Sequence, residues 1–132
     1  MQTANGKNGS KWIRKDKRLA VYLRDGLACA FCGGTIEDGC VLTLDHLVPR
    51  SQGGTHNEKN LVTCCRRCNS ARGDRDLVAF AASVAEYLDH GVTAASILAH
   101  IENCIRRPLG PFRAEAKELI ARRGSYAAAL GA

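Results

Sequence analysis

Four cysteines in two closely spaced pairs constrain the fold of this 132-residue chain more than any other feature. Cys29 pairs with Cys32, and Cys65 pairs with Cys68, each across two intervening residues. Two such pairs provide a complete tetrahedral thiolate shell for Zn²⁺, so we expect a structural ion with no open position. Cys64 could compete with Cys65, but only Cys65 keeps the two-residue spacing to Cys68. The predicted zinc site would add folding energy that a short chain needs.

The remaining bulk properties favour a nucleic-acid partner inside the cell. The net charge is +6 and the isoelectric point is about 9.1, which favours an anionic partner. No apolar signal segment opens the chain, and no apolar run is long enough to span a bilayer. We therefore expect a cytoplasmic protein without membrane contact, in which close cysteine pairs bind metal. Cys40 and Cys104 are expected to be small apolar core residues.

Turn residues and apolar spacing divide the chain into four predicted segments. We expect residues 1–10 to be disordered and residues 125–132 to be a flexible tail. Residues 11–75 are predicted to form the core, and residues 76–124 a helical extension. The elements predicted within these segments are a basic helix from Asp16 to Gly26, strands over 40–45 and 60–64, a helix starting near Cys65, and helices over 76–89, 93–106 and 112–123.

The stretch from Leu44 to Asp74, LDHLVPRSQGGTHNEKNLVTCCRRCNSARGD, is the most specific part of the sequence. Together with the first cysteine pair it resembles the HNH endonuclease family, in the subclass with four zinc-binding cysteines. The resemblance covers about residues 18–74. It implies an α+β fold in which a small ββα-metal core, two strands and a helix, is stapled by the zinc site. The matching elements are Cys29-x-x-Cys32, Asp45-His46, Pro49, Gly53-Gly54, Asn60-Leu61, Cys65-x-x-Cys68-Asn69 and Arg72-Gly73.

The residues of this stretch suit the hydrolysis of a phosphodiester. A neutral histidine can take a proton from water near pH 7, and a hard cation such as Mg²⁺ or Mn²⁺ can stabilise the developing charge. Such a cation takes oxygen ligands, which Asp45 and Asn69 can supply. The resemblance implies that His46 is the general base and Asp45 the acidic metal ligand. It also implies that Asn60 holds the loop and orients the base, and that Asn69 replaces the last histidine of the motif.

Other polar residues near the motif are candidates for the site or for DNA contact. His56 lies in the same loop and is a possible site residue, whereas His90 and His100 are expected on the surface. Arg72 matches a basic family position one helical turn after Asn69, which makes it the first candidate for a phosphate contact. Residues 11–18 form either a phosphate-binding arm or a solvated helix face. The predicted DNA-binding residues are Lys11, Arg14, Lys15, Lys17, Arg18, Arg50, Arg66, Arg67 and Arg72.

The function predicted from the sequence is a metal-dependent DNA endonuclease of the small phage or restriction type that nicks one strand per site. One alternative is a non-catalytic zinc module that binds DNA or protein. That alternative explains the cysteines and the charge, but it does not explain Asp45, His46 and Asn69. A second alternative is an RNA nuclease with the same chemistry. No residue pattern indicates which bases are recognised, or whether the protein is a monomer or a homodimer.

Overall fold

The structure is a computed structural model that describes residues 13–131. Short 3₁₀ turns at Arg50–Gln52 and Glu58–Asn60 lie in the loop between the two strands. Within residues 13–131, none of the helices combines the length and the apolar character that crossing a membrane requires. The main elements in chain order are α1 (Lys15–Arg24), β1 (Leu42–His46), β2 (Leu61–Cys65), α2 (Arg66–Arg72), α3 (Leu77–Leu88), α4 (Ala94–Arg106), α5 (Gly110–Arg123) and α6 (Tyr126–Ala129).

The two strands form an antiparallel ribbon. Leu42 lies opposite Cys65, and His46 lies opposite Leu61. Every residue of β2 is buried, because helices cover both faces of this strand. The ribbon and α2, which follows β2 directly, form the two-strand and one-helix core that the sequence predicted, and the α+β class is confirmed.

Two hydrophobic clusters lie on opposite sides of the ribbon. The first packs Val62 of β2 against α3 and α4, and its rings Phe31 and Phe80 meet edge to face with centroids 5.0 Å apart. The second packs Leu61 and Leu44 against α1 and α5. Alternate residues of a strand face opposite sides, so one short ribbon can serve both clusters. The C-terminal helices therefore cover both sides of the core.

A buried ion pair joins α1 to the start of β2. Arg24 and Asp25 are both buried, and Nε of Arg24 donates to Oδ1 of Asp25 at 2.8 Å. Arg24 also donates to the carbonyl oxygens of Glu58 (2.9 Å) and Leu61 (2.6 Å), while Asp25 accepts from the amide of Thr63 at 2.8 Å. A buried charge is tolerated only when it is paired in this way. These bonds fix the turn that carries Asn60 against α1.

Three of the differences between the observed and the predicted boundaries have a clear physical cause. Strand β1 begins at Leu42 because the amide of Cys40 bonds to the carbonyl of Thr35 in the preceding turn. Helix α5 already begins at Gly110, since Pro111 fits a first helical turn, where no amide donor is needed. The tail expected to be flexible contains α6, whose Tyr126 packs against the second cluster. Residues 1–10 lie outside the described part of the chain.

Candidate active site and cysteine cluster

The four predicted cysteines come together in one cluster. Their sulfur atoms all lie within 4.8 Å of one another, and the sulfurs of Cys32 and Cys65 are 3.8 Å apart. Tetrahedral thiolates about 2.3 Å from zinc place neighbouring sulfurs about 3.8 Å apart. The donor set and its spacing therefore fit a zinc ion with a complete thiolate shell. Cys65, and not Cys64, belongs to this cluster.

Backbone amides and neighbouring thiols support the cluster. The amide of Gly34 points to the sulfur of Cys32 at 3.4 Å, and the amide of Cys68 points to that of Cys65 at the same distance. A Cβ atom on Gly34 would collide with the Cys40 sulfur, so a larger residue there would displace the Cys40 side chain. A hydrogen bond from the Cys64 thiol is the main cause that lowers the pKa of Cys29.

The two remaining cysteines have different surroundings. Cys104 is fully buried, as expected of a core residue, and its sulfur lies 3.6 Å from Nε2 of His100. Cys40 is only half-buried and lines an open cleft beside Cys32 and Cys65. Cys40 thus lies at the margin of the core and is less buried than a core residue was expected to be. The turn at residues 35–40 carries it to the edge of the cysteine cluster, where it packs against the margin of the first hydrophobic cluster.

Asp45, His46 and Asn69 line one open cleft of about 360 Å³. The end of β1 supplies the first two residues, and the second turn of α2 supplies the third. Adjacent side chains in a regular strand face opposite sides. Both Asp45 and His46 reach the cleft because the strand ends at His46, where the chain turns toward Pro49. The structure thus brings together the residues predicted for the base and for the metal ligands.

Asp45 lies at the bottom of this cleft beside a buried arginine. Asp45 is 4% exposed and forms an ion pair with Arg72, which is 1% exposed. Burial raises the pKa of Asp45, and the guanidinium of Arg72 opposes that rise. Arg72 also donates to the carbonyl oxygens of His46 (3.0 Å) and Leu47 (2.7 Å). It therefore clamps the end of β1 to α2 instead of lying on the surface, where we expected it to meet a phosphate.

The amide of Asn69 is fixed by the ribbon. Its Nδ2 donates to Oγ1 of Thr43 at 3.0 Å and to the carbonyl of Leu44 at 3.1 Å. Both amide hydrogens are used by these two bonds, so Oδ1 is the atom that can act as a ligand. A carboxylate and an amide oxygen beside one cleft are the donor types that a hard divalent cation takes. The donor set therefore fits Mg²⁺ or Mn²⁺.

His46 is half-buried and its imidazole is held neutral. Burial is the main cause that lowers the pKa of His46 to about 4. The positive charges of Arg50 and Arg18 act in the same direction, and a second proton on the His56 ring would do so too. A neutral imidazole keeps one ring nitrogen with a free lone pair. Nε2 of His46 lies 2.9 Å from Nδ1 of His56. The loop thus brings His56, ten residues away in sequence, into contact with the predicted base.

Asn60 joins the two ends of this loop. Its Oδ1 accepts from the amide of Val48 at 2.8 Å, and its Nδ2 donates to the carbonyls of Val48 (3.2 Å) and Thr55 (2.9 Å). A Cβ atom on Gly54 would collide with the carbonyl oxygen of Val48, so the close approach requires glycine there. These contacts give Asn60 a position from which it holds the loop next to His46.

The predicted DNA-binding residues differ in their exposure and in their distance along the chain from the cleft residues. The charges of Arg18 and Arg50 act directly on His46, and Arg50 is exposed at the cleft. Lys17 binds the loop between the strands, since its Nζ donates to the carbonyl of His56 at 2.7 Å. Lys11 lies outside the described residues. The exposed members of the predicted set are Arg14, Lys15, Arg50, Arg66 and Arg67. His90 and His100 are also exposed, as expected.

Comparison with known proteins agrees with this geometry. Residues 29–81 match the profile described as HNH endonuclease. Residues 29–81 therefore form an HNH endonuclease-like segment, called the HNH segment below. The HNH segment is also similar to the CRISPR-associated endonuclease Cas9 of Corynebacterium diphtheriae, with 42% identity over 52 residues, and to that of Actinomyces naeslundii, with 37% identity over 65 residues.

These matches are limited in extent. They cover 39% and 48% of this chain, but only 5% and 6% of the two relatives. No solved structure shows a significant match. Helix α1 precedes the HNH segment, and α4, α5 and α6 follow it. The contacts of these helices with the ribbon are therefore known from the structure alone.

Two features of the site were not found from the sequence. The ion pair of Asp45 with Arg72 joins residues on β1 and α2, and the spacing of these residues suggested only that Arg72 shares a helix face with Asn69. The contact of His46 with His56 depends on the path of an irregular loop. The only signal for it was a histidine within the loop between the two predicted strands.

Replacing a cluster cysteine should remove the bound metal. We expect the protein to carry about one zinc ion per chain and Cys29→Ala to lose it, with a strong loss of thermal stability. Cys104→Ala is the matched control, because Cys104 is equally buried but lies outside the cluster. Metal analysis and thermal unfolding measure both effects. A Cys29→Ala protein as stable and as zinc-rich as the control would contradict the cluster assignment.

Replacing Arg72 should destabilise the fold. Arg72→Met leaves Asp45 buried without its partner, so we expect the free energy of unfolding to fall by about 3–5 kcal/mol in urea titrations. Arg66→Met provides the control for stability, because Arg66 is an exposed arginine on the same helix. If Arg72 served only as a phosphate contact, its replacement would weaken DNA binding and leave the unfolding curve unchanged.

Proposed function

We propose that this protein is a metal-dependent endonuclease that hydrolyses DNA phosphodiester bonds in the cleft formed by Asp45, His46 and Asn69. The observation that carries this proposal is that a carboxylate, an amide and a neutral histidine line one open cleft. Arg50 supplies positive charge at the edge of the cleft, and Arg18 is near enough for its charge to act on His46. The endonuclease family of residues 29–81 and the endonuclease names of the two relatives support the same reaction class.

His46 is the proposed general base. Because its imidazole is neutral, it can accept a proton from a water molecule as that water attacks the phosphorus atom. The low pKa of His46 makes it a weaker base in the absence of substrate. The phosphate anion of bound DNA opposes the arginine charges and so favours the protonated imidazole that forms during attack. Arg18 and Arg50 thereby link substrate binding to the basicity of His46.

Asp45 and Asn69 are the proposed ligands of one divalent cation, Mg²⁺ or Mn²⁺. Such a cation, when bound, stabilises negative charge on the phosphate and on the leaving oxygen. Arg72 fixes the direction of the Asp45 carboxylate, and Thr43 fixes the amide of Asn69. The proposed role of Arg72 is therefore to position a ligand, and not to bind phosphate. The cysteine cluster offers no fifth position, so its proposed zinc ion is structural.

The proposed DNA contacts are the half-buried Arg18 and the exposed Arg14, Arg50, Arg66 and Arg67. Phosphate contacts depend on charge rather than on base identity, so these residues position the duplex without selecting its sequence. A single cleft of this kind reaches one phosphodiester at a time. We therefore propose that each encounter nicks one strand, and that cutting both strands takes a second encounter or a second copy of the chain.

Replacing His46 tests the proposed reaction. The wild-type protein should nick supercoiled plasmid when Mg²⁺ or Mn²⁺ is added to metal-free buffer, and His46→Ala should be at least about 10²-fold slower because the base acts in the chemical step. His90→Ala is the matched control, since His90 is exposed in the connection between α3 and α4 and does not line the cleft. The measurement is the initial rate of nicked-circle formation. The metal-free buffer should contain no strong chelator, which would also strip the cysteine cluster.

Two other results would point to the alternatives. Cleavage of a single-stranded RNA but not of plasmid, lost in His46→Ala, would indicate an RNA nuclease. Metal-independent binding of plasmid without cleavage by any variant would indicate a non-catalytic zinc module and would overturn the proposal.

Neutralising the rim of the cleft should flatten the salt dependence of DNA binding. We expect Arg18→Gln with Arg50→Gln to reduce the slope of log affinity against log salt by up to about 0.9 per lost phosphate contact, for every DNA sequence tested. Arg122→Gln with Arg123→Gln is the control, because these exposed residues end α5. Fluorescence anisotropy at several salt concentrations measures the slopes. A smaller slope in the control pair, with an unchanged slope in the rim pair, would place the DNA on the C-terminal helices.

A further inference from the structure

We propose that His56 is a positioning residue that fixes the tautomer and the orientation of His46. In this arrangement, Nδ1 of His56 accepts a hydrogen bond from Nε2–H of His46. This leaves Nδ1 of His46 with the lone pair that receives the proton of the attacking water. The inference deepens the proposed function, because it rests on His46 being the general base.

The direction of the hydrogen bond follows from the base role proposed for His46. Nε2 of His46 and Nδ1 of His56 are 2.9 Å apart, which is a hydrogen-bond distance. A neutral imidazole carries one N–H and one lone pair. If Nε2 of His46 accepted the bond, its proton would be on Nδ1 and no lone pair would remain for water. A neutral His46 can act as a base only if it is the donor of this bond.

The geometry of the two rings agrees with a directed bond. Their centroids are 5.0 Å apart and their planes are tilted by 44°, so the rings meet at their nitrogen edges and are not stacked. Both residues are only partly exposed. Limited contact with water strengthens a hydrogen bond and restricts the rotation of both rings.

The backbone of His56 is held from outside the HNH segment. Lys17 of α1 donates to the carbonyl of His56 at 2.7 Å, and Arg24 of α1 donates to that of Glu58 at 2.9 Å. Asn60 binds the carbonyl of Thr55 at 2.9 Å. Carbonyls on both sides of His56, and its own, are therefore anchored. The ring of His56 is presented to His46 by a fixed backbone, as a positioning role requires.

Three substitutions at position 56 separate positioning from a merely structural role. Oδ1 of asparagine lies close to where Nδ1 of histidine lies, whereas the terminal atoms of glutamine lie near the position of Nε2. His56→Asn therefore keeps an acceptor for His46, and His56→Gln and His56→Ala do not. We expect His56→Ala and His56→Gln to lower kcat by about 10-fold or more. KM and DNA affinity should stay unchanged, and His56→Asn should keep most of the wild-type kcat.

The controls separate this inference from the proposed function. His56→Ala should cause no further loss in a His46→Ala background, because its effect passes through His46. His90→Ala should match the wild type. Equal kcat losses in all three position-56 variants, unchanged kcat in all three, or an effect on KM alone would overturn the positioning role while His46 remains essential. If His46→Ala itself cleaves at the wild-type rate, the proposed function fails, and the positioning role fails with it.

Discussion

The convergence of four sulfur atoms is the constraint on which the rest of the site depends. The cluster ties the turn at Cys29 and Cys32 to the junction between β2 and α2, where Cys65 and Cys68 lie. Because Asn69 directly follows Cys68, fixing this junction also fixes the start of α2 relative to the ribbon. The interior of so short a chain contributes limited stability. A bound ion would therefore set the position of α2 as well as stabilise the fold.

The buried ion pair of Arg72 with Asp45 then fixes the direction of the carboxylate at the end of β1. Arg72 lies at the C-terminal end of α2 and bonds to Asp45 and to two carbonyl oxygens of the adjoining chain. Burying this pair costs desolvation energy, which an apolar pair would avoid. The benefit is orientation, because a carboxylate that is fixed in direction can serve as a ligand without first losing rotational freedom. The site thus uses buried charge to position a functional group.

Helix α1 has a comparable effect on the loop between the two strands. It packs against the second hydrophobic cluster, and its polar side chains Lys17 and Arg24 hold the loop between the strands through carbonyl oxygens. The loop then presents His56 to His46. Helices α5 and α6 cover the other face of α1 and keep it in place. The parts of the chain outside the HNH segment therefore contribute to the geometry of the site.

The sequence by itself determined the elements whose cause is local. The spacing of Cys29, Cys32, Cys65 and Cys68 predicted the cluster, because a tetrahedral ion accepts two chelating pairs. Apolar alternation and helical spacing predicted the ribbon and the helices to within a few residues. Tertiary structure decided which side chains meet across different elements. Arg72 is buried beside Asp45, and His56 contacts His46, because separate segments pack together, and a one-dimensional spacing does not encode the distance between segments that are remote in sequence.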